Sequence, residues 1–198
     1  MTGNEKVEKE KVVGSTPETR ALQDEFTKEF VTSQEEVQEG YYQFKSRTDG
    51  YTMLFPKEGK ISKSSFESNK DIFETYTFGE NVTEDNLAFY YKIIYDANML
   101  TKEVQPYLNS LSRYAGYEGE YETFEHEGKT YYYAEDITEA EGNKAYDYFS
   151  FIISNESNQA VTFFSSSSCK DFNQSCNPEQ SHIKDKFLMM MKSVDFLD

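Results

Sequence analysis

The sequence predicts an α+β domain: a mostly antiparallel sheet of about six or seven strands, flanked by two or three helices. Three observations support this fold class. Apolar and polar residues alternate with a period of two in several short segments after residue 40. Turn-forming Asn, Asp and Gly residues separate these segments, as in β-hairpins. Two other segments, residues 104–115 and 178–194, carry their apolar residues at helical spacing.

Composition limits the classes of function. The 198 residues include 36 acidic and 20 basic side chains, a formal net charge of −16. Binding to a phosphate backbone requires clustered Lys and Arg, so we expect no nucleic-acid partner. No run approaches the roughly 18 apolar residues of a membrane-spanning helix. Any membrane contact is therefore expected only through a lipid anchor.

The chain divides into three parts by composition. Residues 1–15 are charged and lack aromatic residues, which is typical of a disordered tether. Residues 16–40 start with a Thr-Pro helix signal and then place Leu22, Phe26 and Phe30 at helical spacing. This part is expected to be a charged helix docked on the domain, or else a linker continuing the tether. Residues 41–198 are expected to form a single domain.

The first strands follow from alternation and turns. Residues 41–47 and 51–55 flank Asp49-Gly50, a pair that favours the positive φ angles of a hairpin, and Pro56 ends the second strand. Residues 57–69 are polar and predict a loop with one short extended piece. Residues 71–78 alternate again. Residues 87–95 are almost continuously apolar, which predicts a central strand covered on both faces.

The later elements are two helices and two hairpins. Pro106 can occupy the first turn of the helix at residues 104–115, and Gly116 is a natural stop. The last helix carries an apolar stripe of Ile183, Phe187, Leu188 and Met191. The hairpins are predicted from residues 117–125 with 129–137, and from 146–154 with 159–166.

This order of elements resembles the PsbP-like fold, which is shared by a photosystem subunit and a Ran-binding nucleotide-release factor. The resembling residues are the opening strand, the turn and the octapeptide from Asp49 to Pro56. The resemblance covers residues 41–198 and implies a PsbP-like sandwich. It implies no activity, because function depends on sites and not on the fold.

The beginning of the chain resembles the mature part of a bacterial lipoprotein. Thr2 to Lys6 are small, polar or charged, and Met1 stands where such a protein has its lipidated Cys. The resemblance implies a protein anchored to the outer face of a bacterial cell membrane. The alternative is that Met1 is the native start of a cytoplasmic protein.

Cys169 and Cys176 are the only cysteines and lie in one Ser- and Asn-rich segment. Their spacing favours a small structural disulfide, which agrees with an extracytoplasmic location. Free thiols and a functional pair are the alternatives. A zinc site is disfavoured because neither His126 nor His182 has zinc-ligand spacing.

Two sets of residues are candidates for a ligand or partner surface. Glu118, Glu120 and Glu122 alternate and would share one face of a strand, where they could gather a cation or simply be solvated. Adjacent tyrosines point to opposite faces of a strand, so one of each pair could be exposed. The candidate tyrosines are Tyr41, Tyr91 and Tyr132; the alternative is that Tyr replaces Leu and Val in the sheet.

The sequence carries no phosphate-binding loop, no nucleophile elbow and only two histidines. We therefore expect no enzyme activity, no cofactor and no metal. The expected function is an extracytoplasmic, lipid-anchored protein that binds or helps to assemble a protein partner at the cell envelope. The alternative is a small-molecule or cation-binding module that uses the acidic hairpin or a tyrosine-lined cleft.

Overall fold

The computed structural model describes residues 17–82, 85–99, 103–140, 143–171, 173–174, 176 and 179–197. It confirms the α+β fold class with mostly antiparallel sheets. The helices are α1 (Arg20–Gln23), α2 (Gln105–Ala115) and α3 (Gln180–Lys192). The strands are β1 (Tyr41–Lys45), β2 (Tyr51–Pro56), β3 (Lys60–Ile61), β4 (Glu67–Asn69), β5 (Phe73–Val82), β6 (Leu87–Asp96), β7 (Glu122–His126), β8 (Lys129–Ala140), β9 (Asn143–Ser154), β10 (Ala160–Cys169) and β11 (Asp195–Phe196).

Two antiparallel sheets organise these strands. The large sheet has eight strands in the order β3-β5-β6-β10-β9-β8-β7, with β4 also paired to β5. The small sheet has the order β1-β2-β11. The predicted hairpins of β1 with β2, β7 with β8 and β9 with β10 are present. Strands β8 and β9 extend beyond the predicted hairpin segments and pair with each other as far as Ala140 and Asn143.

One face of the large sheet carries the larger core. The small sheet and α3 pack on this face, and the residues between them are mainly aromatic. Phe44 stacks on Tyr76 with ring centroids 5.3 Å apart, and Phe163 meets Phe187 edge to face at 5.3 Å. Such pairs add to the free energy of area burial. The predicted apolar stripe of α3 lies here, with Ile183, Phe187 and Met191 buried.

The other face of the large sheet is only partly covered. Helix α2 packs Leu108 and Leu111 on β9 and β10, in a second cluster that includes Phe149 and Phe164. Strand β6 lies beside this cover, and its residue Tyr90 is 41% exposed. The expectation that residues 87–95 form a central strand is confirmed, because β6 lies between β5 and β10. Its α2 face is half-buried, with Tyr90 exposed, so the expected cover on both faces is only partial. A run of apolar residues in the sequence indicates that a strand is largely buried, but it does not show how far a helix extends over either face of that strand.

The segment before β1 docks on the domain without forming one long helix. After α1 the chain turns, and a 3-10 turn follows at Thr27–Phe30. The carboxylate of Asp24 accepts hydrogen bonds from the Thr27 N–H at 2.9 Å and the Thr27 hydroxyl at 2.7 Å. Local side-chain bonds of this kind compete with helix continuation. The tether predicted at residues 1–15 lies outside the described residues.

Arg47 holds this segment in place. Its guanidinium lies over the rings of Phe26, Phe30 and Phe66, at 4.8, 4.7 and 4.9 Å from their centroids. It also pairs with Glu29. Cation–π contacts with three rings fix the segment against the turn between β1 and β2.

The predicted disulfide between Cys169 and Cys176 is present, with Cα atoms 5.7 Å apart. It closes the end of β10 onto the segment that leads to α3. Cys169 is buried, and Cys176 packs against the larger core.

Replacing both cysteines with serine is expected to lower the free energy of unfolding by about 2.5 kcal/mol. The estimate follows from the entropy of closing a loop of about eight residues in the unfolded chain. Urea unfolding of the wild type with and without reductant is the measurement, with the double variant as control. A reductant that destabilises the double variant equally would contradict this assignment.

Candidate functional site

A cleft of about 300 Å³ lies between α2 and the uncovered part of the large sheet. This volume is at the lower end of the range for ligand pockets. The sheet contributes the floor and α2 contributes one wall. The lining residues are Phe73, Lys92, Ile94, Asp96, Tyr107, Ser110, Leu111, Tyr114, Thr162 and Phe164.

Strand and helix periodicity place these side chains. Lys92, Ile94 and Asp96 alternate along β6, so all three point to the α2 face of the sheet. Tyr107 and Tyr114 are seven residues apart, two helical turns, and so lie on the same side of α2. The helix ends at Gly116, whose φ of 71° is left-handed.

Aromatic residues form the wall at the C-terminal end of α2. The hydroxyls of Tyr90 and Tyr114 are 3.2 Å apart and hydrogen bonded. The ring of Tyr114 meets Phe164 edge to face at 5.1 Å. Burial, and then the bond to Tyr90, raise the pKa of Tyr114, so its hydroxyl stays protonated at neutral pH. One of the two hydroxyls donates to the other, which leaves one hydroxyl proton free to donate to a ligand.

The cleft carries one cation and one anion. The Lys92 ammonium lies 4.1 Å from the centroid of the Tyr114 ring. Among the described residues, no carboxylate forms an ion pair with Lys92. Asp96 lies four residues further along β6, and its Oδ1 accepts a hydrogen bond from the Asn98 N–H at 2.9 Å. The apolar floor therefore lies between two opposite charges.

A second, larger cleft of about 490 Å³ lies between α3 and the start of β6. Leu87, Phe89 and Ile183 form its apolar part. Its lysine, Lys186, is already paired, with Nζ 2.8 Å from Glu80 Oε2. This pairing makes it the weaker candidate for binding a charged ligand.

The tyrosines predicted as a surface do not line the α2 cleft. Tyr91 is 1% exposed and donates to Glu80 at 3.4 Å, so it belongs to the core and the prediction is wrong there. Tyr41 is also buried, in the larger core. Tyr132 is half-buried against the α2 cluster. Tyr90, the neighbour of Tyr91, lies at the edge of the cleft, where it is hydrogen bonded to Tyr114. Tyr90 and Lys92 are on the same face of β6, so Lys92 could have indicated from the sequence which of the two tyrosines points away from the larger core.

The acidic residues do not share a strand face as predicted. Only Glu122 lies in β7, while Glu118 and Glu120 lie in the preceding loop; all three are exposed. The loop is held by Tyr117, whose hydroxyl donates to the Glu120 carbonyl at 2.9 Å. Within the described residues, no group of three or more His, Cys, Asp or Glu side chains is placed to hold a metal ion.

Comparisons with known proteins identify the family. The family described as "Putative lipoprotein YvcA" matches residues 17–195, and the chain belongs to it. The "Putative lipoprotein YvcA" of Bacillus subtilis (strain 168) is 32% identical over 192 residues, covering 91% of this chain and 78% of that protein. The family name indicates an extracytoplasmic, membrane-anchored protein. No helix within the described ranges is both long and apolar enough to cross a membrane.

Among solved structures, a crystal structure of a Bacteroides thetaiotaomicron protein at 1.50 Å resolution aligns with a TM-score of 0.43 and 11% identity. The alignment covers 79% of this chain and 48% of that protein, so this chain spans about half of its length.

Proposed function

We propose that this protein is an extracytoplasmic, lipid-anchored binding protein that holds an envelope ligand or partner in the α2 cleft. The observation that carries the proposal is the cleft itself, in which an apolar floor adjoins two tyrosine hydroxyls and Lys92, a lysine that no carboxylate of the described residues pairs with. Convergent polar groups on a mostly apolar pocket are typical of ligand sites. Family membership and the disulfide support the extracytoplasmic location.

A non-enzymatic role and a PsbP-like fold are parts of the same proposal. Among the described lining residues, Ser110 and Thr162 carry the aliphatic hydroxyls and none is a histidine that could activate them, which supports the non-enzymatic role. The PsbP-like part of the proposal is supported by the turn at Asp49, with a φ of 58°, and by the strand that ends at Pro56. Attachment to the outer face of the membrane would place the cleft among envelope proteins.

Site-specific photocrosslinking tests this function. A benzophenone amino acid at position 114, in the anchored protein in its own cells, is expected to capture a ligand or partner in the membrane fraction. The same amino acid at position 137 is the matched control, because Ile137 is equally exposed, 45% against 45% for Tyr114, but does not line the cleft. Equal products from both positions, or none from position 114, would argue against the cleft as the binding site.

A further inference from the structure

We propose that the ligand of the α2 cleft is a short apolar peptide with free ends, its carboxylate at Lys92 and its ammonium at Asp96. This inference rests on the proposed function and names the class of ligand. Three features of the cleft support it: an unpaired cation, an anion at the opposite end, and an apolar floor between them.

The first feature is the unpaired cation. Although the chain has a net charge of −16, the Lys92 ammonium lies over the Tyr114 ring, 4.1 Å from its centroid, and no carboxylate of the described residues pairs with it. An ammonium over a ring still has donors to offer, and a carboxylate is the group that satisfies them best. The hydroxyls of Tyr90 and Tyr114 lie at the same end of the cleft. A terminal carboxylate there would meet an ion-pair partner and a hydroxyl donor together.

The second feature is the spacing of the charges. Lys92 and Asp96 are four residues apart on one face of β6, and a strand rises about 3.3 Å per residue, so their Cα atoms are about 13 Å apart. Three extended residues span about 10 Å. With an ion-pair contact at the ends, a tripeptide matches this distance.

The third feature is the floor. Ile94 lies between the two charges on β6, while Phe73 on β5 lies opposite Asp96 and Phe164 on β10 lies opposite Lys92, so an apolar ring adjoins each charge. Apolar peptide side chains would bury surface on these residues. An apolar acid without an amine would use Lys92 alone, so the contribution of Asp96 distinguishes a peptide from a fatty acid.

Calorimetric titration with the tripeptide Leu-Phe-Leu tests the proposal, using the wild type and the variants Lys92→Met and Asp96→Asn. Amidating the peptide's carboxyl end is expected to weaken binding to the wild type about tenfold or more, because a charge-assisted hydrogen bond is lost. The same change should have little effect on Lys92→Met. Acetylating the amino end should weaken binding to the wild type but not to Asp96→Asn.

Lys45→Met is the control, because Lys45 is paired with Asp49 at 2.8 Å and lies outside the cleft; it should bind like the wild type. Thermal unfolding verifies that each variant is folded. No binding of the free tripeptide at millimolar concentration would overturn the ligand class, as would binding that ignores both end modifications. If crosslinking at position 114 succeeds while the tripeptide fails, the cleft binds another ligand; if both fail, the proposed function fails as well.

Discussion

Replacing Lys186 with methionine is expected to lower the free energy of unfolding by about 3 kcal/mol at pH 7, the low end for breaking a buried ion pair. The ammonium of Lys186 lies 2.9 and 2.8 Å from the two carboxylate oxygens of Glu80. Glu80 is 7% exposed, and its other hydrogen-bond donor is the Tyr91 hydroxyl at 3.4 Å. The variant would leave this carboxylate buried without a counter-charge. The low end applies because the Lys186 side chain remains 20% exposed.

Lys184→Met is the matched control on the same helix. Lys184 pairs with Glu135 at 2.8 Å, but both side chains are 38% exposed, so the expected loss is below about 1 kcal/mol. The double variant Glu80→Gln with Lys186→Met removes both charges and should recover part of the stability. Urea unfolding measures all three. Equal losses for Lys184→Met and Lys186→Met would show that burial of the Glu80 pair has no energetic weight.

The second large effect concerns Glu74, which is fully buried beneath the turn between β1 and β2. The backbone N–H of Arg47 donates to Glu74 Oε2 at 2.8 Å, and the Tyr51 hydroxyl lies 3.5 Å from Glu74 Oε1. Tyr51 is also hydrogen bonded to Tyr76, with their hydroxyls 3.0 Å apart. Burial outweighs these donors and raises the pKa of Glu74 from 4.5 to about 7.

The sign of the pH dependence follows from this shift. Between pH 4.5 and pH 7 the folded chain keeps the Glu74 proton while the unfolded chain has lost it. The stabilising contribution is therefore complete below pH 4.5 and is lost as the pH rises through 7. A shift of this size corresponds to roughly 3 kcal/mol. Burial also raises the pKa of Asp147, which adds a loss in the same direction.

Urea unfolding between pH 4.5 and pH 8.5 measures the effect. The wild type is expected to lose stability across this range, and Glu74→Gln should lose much less. The two proteins should be similar near pH 4.5, and the variant more stable at pH 8. Asp24 does not titrate in this pH range. Burial raises its pKa, but hydrogen bonds from Lys60 and Thr27 outweigh burial and lower the pKa to about 2. Parallel curves for wild type and variant would contradict the role of Glu74.

The features that the sequence predicted well are those with local causes. The hairpin at Asp49, the helix ending at Gly116 and the disulfide each depend on residues close together in the chain. The cleft does not, because Phe73 on β5, Tyr114 on α2 and Phe164 on β10 meet only after the sheet has formed. Where α2 stops on the sheet is a tertiary property that periodicity does not encode. The orientation of Tyr90 could have been predicted from the sequence, because Lys92 lies two residues away and a lysine favours the more exposed face of a strand.

The segment held by Arg47 and the α2 cleft lie on opposite faces of the large sheet. The segment packs into the larger core, with Phe30 stacked on Phe44 at 5.4 Å, and so lies on the face of the large sheet opposite the α2 cleft. The sheet is then a partition between the side where the N-terminal segment docks and the side where the cleft opens.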